Sequence, residues 1–410
     1  METNVNRIKE LIEKLASYND TPGDGITRFS YGVNDSKARC YLIEICESIG
    51  LNVRIDSVGN IFARLEGTEQ SLPPVMTGSH IDSVKNGGKY DGIVGSVGAL
   101  EAVRTLIENG YKAKHPIEVV FFAEEEGSNF QVPVLGSKVL VGKLGVEDLK
   151  NAKNEEGKSA YEVMKNAGLN PDQLSKDVIK KGDIKAMLEL HIEQSVRLDM
   201  EKHQVGIIQG IAGLKWLKIT LTGCSNHAGA TPMHLRIDPM VVAAQIISKI
   251  NLIAKEVSNT TVATVGNIVV SPNIPNAIPG VVTFTVDVRD INQSGIDSVV
   301  EEIERLTVRC SQENGVEYDV STIATSKPIK IPTYIIEIME NKAKQLGLDY
   351  IMMPSGAVHD SNYMSDVTDV GMIFVPSKDG RSHAKEEYTC YEDIKAGADL
   401  LLNTLIELAE

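Results

Sequence analysis

The chain contains no apolar run approaching the roughly 20 residues that a bilayer span needs, which excludes a helical membrane protein. It is also short of basic charge: 41 Lys and Arg stand against 56 Asp and Glu, a net charge of -15. A protein that grips a phosphate backbone needs a basic face, so nucleic acid is not an expected partner and the acidic excess serves solubility. Cysteine is sparse. Cys40, Cys46, Cys224, Cys310 and Cys390 are odd in number and lack CxxC spacing, which excludes a disulfide framework and a thiolate zinc site. Internal repeats, coiled-coil heptads and low-complexity tracts are also missing. The N-terminal METNVNRIKELIEKLAS lacks the apolar centre of a signal peptide and reads as an amphipathic helix with Ile8, Leu11, Ile12 and Leu15 on one face. A soluble, cytoplasmic protein is expected.

What is present suffices for more than one core. With 410 residues, 42% hydrophobic and 24% charged, the chain predicts two domains or one domain with a large insertion. Over 1–207, strand-like VGNIFARL, PPVMTGSH and IEVVFFAEEE alternate with helical stretches such as 94–109, the pattern of an α/β domain with a central sheet. Over 208–325 the style changes. LKWLKITLTG, ATVGNIVVS, VVTFTVDVRD and VEYDVST read as strands, interleaved with a helix opened by Asp238-Pro239 and another over 294–314, which predicts an inserted α+β unit of one sheet and two helices. Residues 326–410, with strand-like MIFVP and a closing helix, return to the first style and complete the first domain.

Chemistry-bearing residues gather where apolar strands end. In TGSHIDSVKNGGKYDG, His80 closes a strand, Asp82 follows, and Asp91 lies in a glycine-rich loop. Divalent metals take imidazole and carboxylate ligands, and glycines let such a loop fold back, although His-x-Asp alone reads first as an ordinary surface turn. Asp82 suits a supporting role, accepting the second ring N–H of His80. Gly92, Gly95 and Gly98 fit neither nucleotide fingerprint and read as close helix packing. In VVFFAEEEGSNF a buried-looking strand runs into Glu124, Glu125 and Glu126, adjacent acids that repel unless a cation sits nearby. One of them can bind an ion while its neighbour acts as general base toward water; a solvated strand end is the alternative.

AMLELHIEQS places His191 at a strand end with Gln194 beside it, and MIFVPSKDGRSHAKEEYT places His383 in a loop after a strand. Three of only eight histidines therefore follow apolar strands, where ligands collect in open α/β sheets. Within the insertion, SNHAGATP carries His227 and PNIPNAIPG carries Asn276. Asp287 and Arg289 share one face of a strand, so Arg289 either holds a substrate carboxylate or pairs with Asp287 or Asp290. The turn SGAVHDSNY adds His359 and Asp360 without an evident role.

Taken in order, GSHIDSVKNGGKYDG, AEEEGS, ELHIEQ, SNHAGATP, NAIPG, FTVDVRD, SGAVHD and VPSKDGRSH resemble the N-carbamoyl-L-amino-acid hydrolase and allantoate amidohydrolase (ureidopropionase-like) branch of the dinuclear metal aminoacylase and peptidase superfamily. The resemblance implies a metal-bearing α/β domain interrupted by a lid and dimerisation domain, in a homodimer. It implies two divalent ions per subunit, zinc or manganese with cobalt or nickel also accommodated: one on His80 and His191, the other on Glu126 and His383, with Asp91 bridging. Glu125 would be the general base. His227, reaching over from the partner subunit, would stabilise the oxyanion, while Gln194, Asn276 and Arg289 would bind a small ureido substrate. Asn129 stands where the family usually has Arg, and Val358 where it has Gly, which bears on the choice of substrate. A dipeptidase or N-acyl-amino-acid hydrolase of the same superfamily would share the metals but not the HIEQ glutamine and the NAIPG-to-Arg289 set. A non-catalytic metal-binding dimer would have no use for Glu125.

Overall fold

A computed structural model describes residues 1–410. Its strands are β1 (Asn52–Ile55), β2 (Ile61–Leu65), β3 (Val75–His80), β4 (Ile117–Phe122), β5 (Ala186–Ile192), β6 (Val205–Ile211) and β7 (Gly213–Thr222). There follow β8 (Asn226–His227), β9 (Val262–Ser271), β10 (Ala277–Ile278), β11 (Val281–Asp290), β12 (Glu317–Ser326), β13 (Ile329–Lys330), β14 (Tyr350–Ser355) and β15 (Asp369–Val375). The chain divides into two compact units. One comprises Met1–Gln209, Ile331–Met353 and Val358–Glu410; the other comprises Gly210–Lys330 with Pro354–Ala357. No helix is long and apolar enough to cross a membrane.

The first unit is built on a mixed sheet in the order β1-β2-β4-β3-β5-β15-β6, the mixed α/β architecture expected from the strand and helix alternation. At its centre β4, β3, β5 and β15 run parallel. β3, β4 and β5 are buried along their whole length, which explains why they read as near-continuous apolar runs rather than as alternation. Register pairs His80 with Phe122 and His191 with Phe374, so the carboxyl ends of the parallel strands lie level with one another. A parallel sheet needs covering helices, and Ile93–Glu108 lies almost wholly buried. Its glycines allow the close approach: a Cβ on Gly95 would collide with the Leu190 carbonyl oxygen, and one on Gly98 would lie 2.6 Å from Leu190 Cδ2.

The second unit is a four-stranded antiparallel sheet, β12-β7-β11-β9. Leu217, Ile219 and Leu221 of β7 and Val282, Phe284, Val286 and Val288 of β11 form its core with Ile246 and Ile250 of helix Pro239–Val257 and with Val299 and Ile303 of helix Gln293–Asn314. Strict alternation along β11 buries every second residue and leaves Asp287 and Arg289 on the other face, where Asp287 stands opposite Trp216 of β7. The first of these helices starts as its sequence predicts, with Asp238 accepting the Met240 N–H at 3.0 Å and Pro239 at the first position.

The crowding at Gly95 gives a stability test. Gly95→Ala should lower stability by about 1–3 kcal/mol, because the added methyl meets fixed backbone rather than a movable side chain. Gly266→Ala, where a Cβ meets nothing within 4 Å, is the control. Denaturant midpoints that are equal for the two variants would show that the helix can move off the sheet without cost.

Candidate metal centre

Three strand ends and two loops build the site. His80 is the last residue of β3 and His191 the sixth of β5, and both are buried. The loop after β3 brings Asp91 between them: His191 Nε2 is 3.2 Å from Asp91 Oδ1, and His80 Nε2 is 3.7 Å from the same atom. Gly92, at φ +68, makes the return possible, since a Cβ there would enter the His80 ring. The other carboxylate oxygen faces the opposite way, with His383 Nε2 3.3 Å from Asp91 Oδ2 and 3.4 Å from Glu126 Oε2. Two overlapping donor groups result, His80–Asp91–His191 and Asp91–Glu126–His383, each with its ligand atoms within 4.8 Å of one another.

The hydrogen bonds sort ligands from supports. His80 Nδ1 lies 3.1 Å from the Asp82 carbonyl and His191 Nδ1 lies 3.0 Å from the Ile192 carbonyl. A backbone carbonyl can only accept, so each ring carries a proton on Nδ1 and turns Nε2 to the centre, where loss of a second proton would expose a lone pair. The sequence assigned the His80 contact to the Asp82 carboxylate; its oxygen stands 3.7 Å away, and the backbone carbonyl takes the bond instead. The carboxylate is occupied elsewhere. It accepts the N–H groups of Glu125 and Glu126, both at 3.1 Å, and so pins the acidic turn to the His80 loop.

The three adjacent glutamates do three different things. Glu124, at φ +54, turns back and accepts the N–H groups of Asn129 and Phe130, so it serves the turn itself. Glu125 places Oε2 3.8 Å from His80 Nε2, and Glu126 faces His383. Burial, joined by the charges of Glu126, Asp360 and Asp82, pushes the Glu125 carboxyl well above its usual range against the pull of His80. Asp91 goes the other way: burial raises it, but hydrogen bonds from His191, His383 and His80 hold it well below. The donor set is nitrogen and oxygen only, Glu126 Oε1 is buried without a hydrogen-bond partner, and the imidazole Nε2 atoms converge. These residues fit a pair of divalent cations sharing Asp91.

Family comparison agrees with this geometry: the match to Peptidase family M20/M25/M40 spans residues 76–407. The chain belongs to this family. It is 39% identical over 404 residues to an N-carbamoyl-L-amino acid amidohydrolase of Geobacillus stearothermophilus, covering 98% of each chain. It is 34% identical to the allantoate amidohydrolase of Bacillus subtilis, again with 98% of each covered. Among solved structures, an amidase of the hydantoinase/carbamoylase family from Burkholderia multivorans superposes with a TM-score of 0.93 at 32% identity, over 100% of this chain and 98% of that one. The M20 member described here therefore falls in the carbamoylase and allantoate amidohydrolase branch.

The other predicted residues divide by unit. In the first unit Gln194, at φ +55, donates from Nε2 to Asp91 Oδ2 at 2.9 Å and keeps a buried, unpartnered Oε1. His359 is buried with its ring edge-on to His191 at 4.6 Å, and Asp360 is buried beside it. Asn129 donates its side-chain N–H to the Ser30 carbonyl. In the second unit His227 is exposed on β8, paired with Ala277. Asn276 is exposed as well, and its carbonyl accepts the Ala228 N–H. Arg289 meets Asp287 through Nε and Nη2, at 3.0 and 2.9 Å, and reaches the Gly356 carbonyl through Nη1. Asp290 is taken by Ser258, Thr260 and Thr261, so of the two acids open to Arg289 it is Asp287 that pairs.

Two supports escaped the sequence. Glu387 accepts the N–H groups of Tyr90 and Asp91, and Ser382 donates to Asp91 Oδ2 at 2.8 Å. Their one sequence signal is position, within five residues of His383 in the loop SHAKEE.

Cation uptake should depend on pH. The hydrogen bond to Asp91 raises the His383 imidazolium to about 9, and burial followed by the charge of Asp91 raises Glu126 to about 7. Both groups must lose a proton to become ligands, so affinity should rise from about pH 6 to about pH 9 with protons released. Titration calorimetry in buffers of different ionisation heat measures both quantities; an affinity flat over that range would contradict the assignment.

Proposed function

We infer that this protein hydrolyses a C–N bond of a ureido (N-carbamoyl) group, as in allantoate or an N-carbamoyl amino acid, releasing ammonia and carbon dioxide. We place it in the cytoplasm as a homodimer with two divalent ions per subunit, zinc or manganese by preference, since an N/O donor set also accepts cobalt and nickel. At the level its relatives carry, the chain is an amidohydrolase, acting on carbon–nitrogen bonds other than peptide bonds. The observation that bears the reading is Asp91, with one oxygen toward His80 and His191, the other toward His383 and Glu126, and Glu125 alongside.

Bound at that centre, a cation pair would polarise the scissile carbonyl and acidify the attacking water. Glu125 is the base that takes the proton from this water as its oxygen adds to the ureido carbon. It then returns the proton to the departing nitrogen as the C–N bond breaks. His227 suits the oxyanion role by its tautomer: Nδ1 accepts the N–H groups of Gly229 and Ala230, both at 3.1 Å, so the proton sits on Nε2 and points outward as a donor. Under the family resemblance it serves the partner subunit's site. Arg289 spends three of its five N–H donors on Asp287 and Gly356, leaving one on each terminal nitrogen for a substrate carboxylate. The free Oε1 of Gln194 can accept a ureido N–H, and Asn276 completes the set.

Ammonia release from allantoate and several N-carbamoyl amino acids, with manganese- and zinc-loaded protein, tests the function. Silence on every ureido compound would overturn it. Glu125→Gln should keep both metals and lose on the order of 10²- to 10⁴-fold in turnover, because the amide fills the space but cannot take a proton. Near wild-type turnover with full metal occupancy would remove Glu125 from the mechanism. Asp91→Ala should strip both ions, whereas His383→Ala should chiefly weaken one; elemental analysis reads the difference, and two ions retained by Asp91→Ala would refute the bridge.

A further inference from the structure

Arg28 is 1% exposed, yet none of its side-chain hydrogen bonds goes to a carboxylate. Nε donates to the Ile81 carbonyl at 2.7 Å, and Nη1 donates to the Leu15 and Tyr18 carbonyls at 2.7 and 3.1 Å. Burying a cation this way is costly unless something requires it. Burial lowers its pKa only to about 10, with Asp35 and Asp82 pulling back, so the guanidinium stays charged near neutral pH.

What the charge holds is the stretch between a ligand and its support. β3 ends at His80, and beyond it the backbone has no sheet ladder to fix it. Each successive group there has a dedicated partner: Ser96 Oγ donates to the His80 carbonyl, Arg28 to the Ile81 carbonyl, and the His80 ring to the Asp82 carbonyl. The Arg28 backbone closes the set, accepting the Ser83 N–H at 3.1 Å and donating to Ser83 Oγ at 2.9 Å. Two residues on, Ser30 reaches the other side of the centre, where its Oγ accepts the Glu124 N–H at 2.9 Å and its carbonyl accepts from Asn129. One short strap, Arg28 to Ser30, thus ties the loop of His80 and Asp82 to the turn of Glu124, Glu125 and Glu126.

We propose that Arg28 is a positioning residue of the metal centre: by clamping the Ile81 carbonyl it fixes the His80–Asp82 spacing, and through Asp82 and Ser30 it fixes the turn that carries Glu125 and Glu126. This rests on His80, His191, Asp91, Glu126 and His383 being the metal ligands. Arg28 touches neither ligand side chains nor substrate, so its contribution lies in cation affinity and coordination geometry. A lysine keeps the charge but cannot span Ile81 and Leu15 together.

Cobalt(II) titration of the full-length protein, followed by visible absorption, tests the proposal with Arg28→Met, Arg28→Lys and Ser30→Ala. Arg28→Met should weaken cobalt binding about 10- to 100-fold, the range for residues that orient ligands, and alter the ligand-field bands. Arg28→Lys should recover part of the affinity, and Ser30→Ala should show a smaller loss of the same sign. Thermal unfolding without metal is measured alongside. Lowered melting temperature with wild-type cobalt affinity and spectrum would make the strap merely structural and overturn the proposal. Should Arg28→Met fail to fold, unchanged cobalt affinity in both Arg28→Lys and Ser30→Ala overturns it equally. A wild-type protein that takes up no cobalt would bring down the ligand assignment and this inference together; wild-type uptake with unaffected variants would bring down this inference alone.

Discussion

Everything at the centre follows from holding Asp91, Glu125 and Glu126 among three imidazoles at the level ends of parallel strands. Like charges at such distances resist being brought together, and burial sharpens the conflict because low dielectric strengthens repulsion and attraction alike. The fold answers with two kinds of partner. Carboxylates that face imidazole form the candidate cation site, and carboxylates that face backbone N–H groups lock its loops. Asp82 with Glu125 and Glu126, Glu387 with Tyr90 and Asp91, and Glu189 with Ser361 all belong to the second kind, Glu189 also accepting the Ser79 hydroxyl. Each spends its charge on fixing backbone near a candidate ligand.

That sorting also explains what could be read from the sequence. Elements were legible because burial leaves a period: continuous apolar runs for β3, β4 and β5, strict alternation for β11, and a helical stripe for Val5–Ala16. The gathering of His80, Asp91, His191 and His383 was legible from their motifs recurring in order, since imidazole or carboxylate at a single strand end reads as readily as a surface turn. Glu124, Glu125 and Glu126 are identical as letters; what separates them is the turn at Glu124 and the direction each side chain takes. Asp82 was recognised as a support, but which of its oxygens meets His80 depends on loop geometry. Glu387 and Arg28 lie 297 and 53 positions from the atoms they hold, and no local pattern encodes such a reach.

Arg289 shows a sequence ambiguity resolving into a combination. The period of two left open whether it binds substrate or pairs with a neighbour, as though these excluded each other. With Asp287 on one side of the guanidinium and Gly356 on one terminal nitrogen, the side chain is oriented by its own strand while its far edge keeps donors to spare. Pairing then serves as preparation for binding, since an arginine already fixed in place loses less rotational freedom when a ligand arrives.

The register that sets Asp287 opposite Trp216 has a further consequence. Trp216 is the single tryptophan of the chain, 40% exposed, on the strand face it shares with the Asp287–Arg289 pair. Directly opposed side chains in an antiparallel sheet lie within about 5.5 Å at Cβ, close enough for a change in one to alter the surroundings of the other. Indole emission from this protein therefore originates entirely in the second unit, beside the arginine. The fold has in effect labelled one of its two units with a native indole and left the unit of the candidate metal centre without one.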